Sequence, residues 1–290
     1  MNFQNKEGWL FVMPLMLWLA FSICIPLYIA IELSFFDIKI IGTEGKFVGF
    51  KNYIKSISSS KFPKVLTNSI FWVLANAVTQ TFFAFIIALT LNKNFKGVKI
   101  ATNWIILSFI IPTVVIVVIW KLMLSSSSGL VNSLLIQFHL IEKPIGFFSS
   151  SKSAFISLVL INSWRWSPFL ALIILSGLKS INQEIYDASK IDGTSFFSEL
   201  FYVTLPQLKG VLFVLGLVGT LLSFNVFDII WLITKGGPSG ATTTLPLLIY
   251  ETAFTKFRLS QAAALSVITS IILLTFSIIF IKVMGKDHDD

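Results

Sequence analysis

Residues 179–209 read KSINQEIYDASKIDGTSFFSELFYVTLPQLK, a polar stretch with charges of both signs set between two apolar runs. Ser180-x-x-Gln183 predicts a capping box at the start of a short helix. Ile181, Ile185 and Ala188 fall at i, i+4 and i+7, one apolar stripe, while Gln183, Glu184, Asp187 and Lys190 lie off it. Gly193 permits a sharp turn, and Thr194 or Ser195 can cap a second helix carrying Phe197, Leu200 and Phe201. Leu205-Pro206 then redirects the chain. Two short helices about a glycine corner form a compact knob. Such a knob suits either a docking surface for a soluble partner or an interfacial helix resting on headgroups.

The flanking runs set the fold class. Of the 290 residues, 55% are apolar and 12% charged, about half the charge of a soluble domain. Six stretches are long enough to cross a bilayer core of about 30 Å, which needs about 20 helical residues. They are 8–31, 67–90, 101–120, 153–178, 210–234 and 259–281. Four hold no charge; the fourth holds Arg165 and the fifth Asp228. Alternating barrel patterning is absent, so the spans are helices. The expectation is an all-α polytopic membrane protein with six transmembrane helices, a single domain over 1–290. Soluble enzymes, disordered tails and disulfide-rich modules are excluded. Pro14, Pro26, Pro112 and Pro168 lie inside the spans, where membrane helices tolerate kinks. The first run is longer than a signal-peptide core and reads as a retained anchor.

One cysteine (Cys24) gives no intrachain disulfide, and two histidines (His139, His288) supply no metal cluster. The net charge of +8 comes from bases scattered singly through loops, including Lys39 and Lys286, rather than in runs. That pattern fits bases at span ends and no nucleic-acid partner. Nine bases fall on the side of 179–209 and twelve on the other, over longer loops, so lysine bias leaves the orientation open. No Walker A sequence is present, so the chain performs no phosphate chemistry itself.

The run Ile185-Tyr186-Asp187-Ala188-Ser189-Lys190-Ile191-Asp192-Gly193, with Leu205-Pro206 twelve residues on, resembles the EAA signature of permease subunits of binding-protein-dependent ABC importers. It looks most like the sugar-type permeases related to the maltose and glycerol-phosphate systems. Other stretches add to the likeness. They are Leu33-Ser34-Phe35-Phe36-Asp37, Phe47 to Tyr53, Gly129-Leu130-Val131-Asn132, Trp164-x-x-x-Pro168-Phe169 and Phe227-Asp228-Ile229-Ile230. The family's Glu-Ala-Ala is Asp187-Ala188-Ser189 here, and its Ala after Asp-Gly is Thr194.

The resemblance implies a type I importer permease in a bacterial-type cytoplasmic membrane, with both termini cytoplasmic. Its partners would be a second permease in a heterodimer, two ATP-binding subunits and an extracytoplasmic solute-binding protein. ATP and magnesium would belong to the partner ATPase, with no cofactor on this chain. Residues 180–206 would be the coupling loop, through Glu184, Ile185, Asp187, Ala188, Ile191, Asp192 and Gly193. The solute path would be lined by Asn162, Trp166 and Phe169, and by Gly219 and Ser223. Trp166 and Val226 depart from the polar or small residues expected there. From the residues themselves, Arg165 and Asn225 are further polar candidates in the spans. Arg165 also suits a helix–helix contact with a carboxylate, and Asp228 a paired structural role. Gly236, Gly237 and Pro238 would face the binding protein, or form a plain loop. An ion-coupled transporter or channel without an ATPase is the alternative, but it calls for several intramembrane carboxylates and the spans offer Asp228 alone.

Overall fold

A computed structural model describes residues 3–38, 45–93 and 95–284. Lys39, Lys286 and His288 lie outside the described residues. The chain is almost wholly helical: α1 (Phe3–Phe35), the strand pair β1 (Phe36–Asp37) and β2 (Lys46–Phe47), α2 (Lys51–Ile57), α3 (Lys61–Leu91), α4 (Val98–Ile110), α5 (Thr113–Met123) and α6 (Leu130–Gln137). Then come α7 (Ser151–Ser180), α8 (Gln183–Ile191), α9 (Phe196–Glu199), a π-helical turn (Leu200–Thr204) and α10 (Leu205–Gln207). The remainder is α11 (Lys209–Phe224), α12 (Asp228–Thr234), α13 (Leu245–Tyr250), a second π-turn (Glu251–Thr255) and α14 (Leu259–Met284).

Among the described residues four helices, α1, α3, α7 and α14, are long and apolar enough to cross a membrane, and two bent pairs bring the number to as many as six if each pair is one span. In the first pair α4 meets α5 at 96°. The run 101–120 is therefore not one rod. Pro112 has no N–H to continue α4 and pushes Ile111 into extended backbone (ψ 130°). In the second pair the helical segment Phe196–Gln207 meets α11 at 73°. The run 210–234 is also broken, at 225–227. There Asn225 Nδ2 donates to the Leu221 carbonyl (2.8 Å) and the Ile229 N–H donates to Asp228 Oδ1 (2.9 Å). Asp228 thus satisfies the Ile229 N–H that a continuous helix would pair with the Asn225 carbonyl, while Asn225 Nδ2 joins its own N–H on the Leu221 carbonyl. Pro14 and Pro26 sit inside unbroken α1, and Pro168 inside unbroken α7.

The residues group into two compact units, Met1–Lys64 with Leu248–Leu274, and Val65–Leu247 with Thr275–Asp290. In the second unit the core lies where α3, α7 and α11 meet, through Ala84, Ala88, Leu170, Ala171, Ile174 and Leu215. Small residues let membrane helices approach closely, since lipid supplies no hydrophobic drive between them. Gly177 is such a position, because an added Cβ would lie 2.8 Å from both Leu208 Cδ2 and Val211 Cγ2. In the first unit β1 and β2 pair antiparallel, with Phe36 opposite Phe47.

Candidate functional site

A polar ladder runs along one face of α3. Trp72, Asn76 and Gln80 are spaced four apart, so they stack on one side of the helix. Asn76 Nδ2 donates to the Trp72 carbonyl (2.8 Å), and Gln80 Nε2 donates to Asn76 Oδ1 (3.0 Å). The same Oδ1 accepts from Asn162 Nδ2 of α7 at 2.7 Å. Trp72 Nε1 donates to the Ser223 carbonyl of α11 (3.0 Å), and Thr79 and Ser163 share a hydroxyl contact of 2.6 Å. Trp72, Asn76, Asn162 and Ser163 are all buried. Gly219 and Gln80 both line an internal void of about 30 Å³, and a water needs about 10–15 Å³.

The ladder brings together Asn162, Gly219 and Ser223. Its α3 half, Trp72, Asn76 and Gln80 at every fourth position of an apolar run, is not among the sequence candidates, although the spacing marks it. Replacing Asn76 by Leu strands the amides of Gln80 and Asn162 in an apolar interior. The expected loss is about 1–2 kcal/mol of stability, measured by thermal unfolding in detergent. Asn76→Leu with Asn162→Leu is expected to lose less than the two single losses summed.

One turn along α7, Arg165 Nη1 lies 3.2 Å from Asp228 Oδ2, and its guanidinium stands over the Trp166 ring at 5.6 Å. Phe169 stacks on Phe109 of α4 (5.1 Å), and Trp166 meets Phe109 edge-on. Three buried polar atoms on this stretch have no hydrogen-bond partner: Asn162 Oδ1, Arg165 Nε and Trp166 Nε1. One acceptor and two donors thus stand among aromatic rings. Asn225 is not part of this group; it is exposed and bonded to its own helix.

The knob begins at Asn182 rather than Ser180. Ser180 ends α7 and donates to the Gly177 carbonyl (2.7 Å), while Asn182 Oδ1 accepts from the Glu184 N–H (3.1 Å). Ile181, extended at ψ 130°, separates the two helices. The buried stripe also shifts. Ile185 and Tyr186 are half-buried and Ser189 is buried, whereas Ala188 is exposed together with Glu184, Asp187, Ile191, Asp192 and Gly193. Gly193 has φ +71° and donates to the Lys190 carbonyl (3.0 Å), which closes α8 in the left-handed turn that glycine adopts without strain. Thr194 Oγ1 donates to the Ser189 carbonyl (2.8 Å), Ser189 Oγ to Glu199 Oε2 (3.3 Å), and Ser195 caps α9. The corner is cross-bonded and stiff, with Ile191 87% exposed at its tip. Beside it a groove of about 1390 Å³ is lined by Phe82, Phe85 and Leu89 of α3 and by Tyr186, Phe197 and Phe201.

The segment Gly236-Gly237-Pro238 is an ordered turn. Gly236 (φ +83°) accepts from the Thr242 N–H and from Thr243 Oγ1, and Thr234 bonds Thr242. Asn68 Nδ2 holds the Gly240 and Thr243 carbonyls at 3.1 Å each. Among the described residues no group of three His, Cys, Asp or Glu could hold a metal ion.

Residues 80–285 match the family described as binding-protein-dependent transport system inner membrane component. The chain belongs to this family. Among curated relatives, the trehalose/maltose transport system permease protein MalF of Thermococcus litoralis is 32% identical over 97% of this chain and 94% of its own. The lactose transport system permease protein LacF of Rhizobium radiobacter is 27% identical over the same shares. A crystal structure of a bacterial ABC transporter that imports the acidic polysaccharide alginate superposes with a TM-score of 0.81 at 19% identity, covering 98% and 96% of the two chains. The fold of this inner-membrane transport component is thus that of a type I importer permease.

Proposed function

We propose that this transport component is the permease subunit of an ATP-driven importer for a sugar or sugar-like solute. Likeness to MalF and LacF along nearly the whole chain carries the reading. It forms half of the solute path with a second, different permease. Two ATPase subunits, holding ATP and magnesium, bind on the cytoplasmic side, and a solute-binding protein delivers from the other. The chain is not itself the enzyme and takes no cofactor of its own.

The loop over 180–206, with the knob that begins at Asn182, is the coupling element, seated in the ATPase through Glu184, Asp187, Ile191 and Asp192, with Ile185 and Ala188 beside them and Gly193 at the corner. A stiff, cross-bonded corner transmits a rigid-body rotation, and ATP's preference for the closed ATPase dimer biases the cycle. Asn162, Arg165, Trp166 and Phe169, with Gly219 and Ser223, line the path. Their unpartnered donors and acceptor among aromatic rings suit a solute with many hydroxyls and apolar ring faces. Asn225 plays a lesser part, holding the end of α11. Gly236, Gly237 and Pro238 face the binding protein. The ion-coupled alternative is disfavoured because Arg165 already pairs with Asp228, the one carboxylate in the apolar runs.

A tagged chain, extracted gently from its own membrane, is expected to bring down an ATPase and a second polytopic protein. Uptake that continues after ATP depletion, with the ion gradient intact, would overturn the proposal.

A further inference from the structure

The first unit carries a cluster of cations where two long apolar helices begin. α3 starts at Lys61, and the π-turn after α13 leads through Lys256 and Arg258 to α14 at Leu259. Two adjacent clefts open there, of about 360 and 280 Å³, and they share Lys256, Arg258 and Gln261. Lys55 lines the first and Lys61 the second, while among the described residues Asp37 is the one carboxylate lining either. Lys256 lies 4.0 Å from Glu251; among the described residues Lys55, Lys61 and Arg258 have no carboxylate within 4.0 Å. Positive charges so grouped repel one another, and a bound anion relieves that repulsion.

The frame around them is fixed. Asn52 Nδ2 donates to the Ser34 and Phe36 carbonyls at 2.9 Å each. The Ile38 N–H donates to Ser260 Oγ (2.8 Å), and the Arg258 N–H to the Thr252 carbonyl (2.9 Å). Next to Arg258, Phe257 holds φ +53°, a conformation costly for a bulky side chain, and the residue is 73% exposed. Phe254, Ile54 and Ile57 are exposed as well. Gln261 Oε1 is buried without a partner and calls for an N–H or O–H donor.

Cations, exposed apolar rings and a buried acceptor at the start of membrane helices match an amphiphile more closely than a carboxylate of a soluble protein. We infer that these clefts bind the headgroup of an anionic glycerophospholipid. Its phosphate is held by Lys61, Lys256 and Arg258, a headgroup hydroxyl donates to Gln261 Oε1, and its chains lie against Phe254 and Phe257. Basic pockets at helix ends are suited to such headgroups. The inference needs α3 and α14 to enter a membrane, and nothing of the transport cycle.

The test is lipid retention by the full-length protein in native mass spectrometry, with phosphatidylglycerol, phosphatidylcholine and free glycerol phosphate as probes. The expected result is a preference of about tenfold or more for phosphatidylglycerol. It should vanish in Lys61→Gln with Arg258→Gln, persist in Lys61→Arg with Arg258→Lys, and persist in Lys51→Gln outside the clefts. If the neutral pair does not fold, Lys61→Gln alone carries the test, with a fall of about threefold or more expected. Unchanged retention in the neutral variants would overturn the lipid site. Displacement by free glycerol phosphate at equal concentration would overturn the lipid source in favour of a soluble anion. Loss of solute-binding-protein docking with lipid preference unchanged would turn the clefts into a protein contact and overturn the inference likewise.

Discussion

Replacing Gly193 by proline is expected to abolish recovery of the ATPase with the tagged chain while leaving membrane insertion intact. Two physical losses coincide at this position. The backbone there has φ +71°, and proline is locked near −65°, so the corner between α8 and α9 cannot close in its present form. Proline also removes the N–H that donates to the Lys190 carbonyl. Asp187, Ile191 and Asp192 then leave the positions that the cross-bonds of Thr194 and Ser189 give them. Alanine is the informative contrast. An added Cβ meets nothing within 4 Å, so the change costs only the left-handed backbone, about 1 kcal/mol. Gly193→Ala should weaken recovery several-fold at most. Recovery of the ATPase by Gly193→Pro at the level of the unaltered protein would remove the knob from the coupling role.

The second large effect concerns Arg165 and Asp228. Their contact is 3.2 Å, with the arginine side chain 16% exposed and the aspartate 42%. Removing one partner of a buried pair costs about 3–5 kcal/mol; because the aspartate is partly solvated, about 2–3 kcal/mol is expected here for Asp228→Leu. That variant leaves a guanidinium whose Nε already lacks a partner. Arg165→Met with Asp228→Leu should recover most of the loss, since an apolar pair carries no desolvation penalty. Thermal unfolding in detergent reads the stability, and uptake assays on the same variants read the role. Stability restored with uptake restored makes the pair a helix clamp. Stability restored with uptake lost makes Arg165 a solute contact.

The all-α membrane class was legible because so few charges interrupt the apolar runs, and hydropathy responds to that directly. Breaks inside the runs were less so. Pro112 was visible, but membrane helices often carry proline unbroken, as α1 and α7 do, so its presence alone did not mark the 96° bend. At the break at 225–227 the Asp228 side chain captures the Ile229 N–H, which hydropathy does not register. In the knob, Ser180 and Asn182 are both capping residues two apart. The choice fell to Asn182 because α7 continues through Ser180, a matter of where the preceding helix ends. Ala188 lies on the apolar stripe by spacing yet is exposed, while the hydroxyl of Ser189 turns inward to the Tyr186 carbonyl and Glu199. Of the solute-path candidates, Asn162, Gly219 and Ser223 came by resemblance, and what joins them comes from α3.

That junction limits how the molecule can move. Sliding α3 by one residue against α7 would strip Asn76 from Asn162 and Thr79 from Ser163 at once, leaving buried amides unpaired. The two rods therefore travel as a single stave. Flexing during a transport stroke is left to the joints at Ile111-Pro112 and at 225–227, where the main chain has already given up its helical ladder.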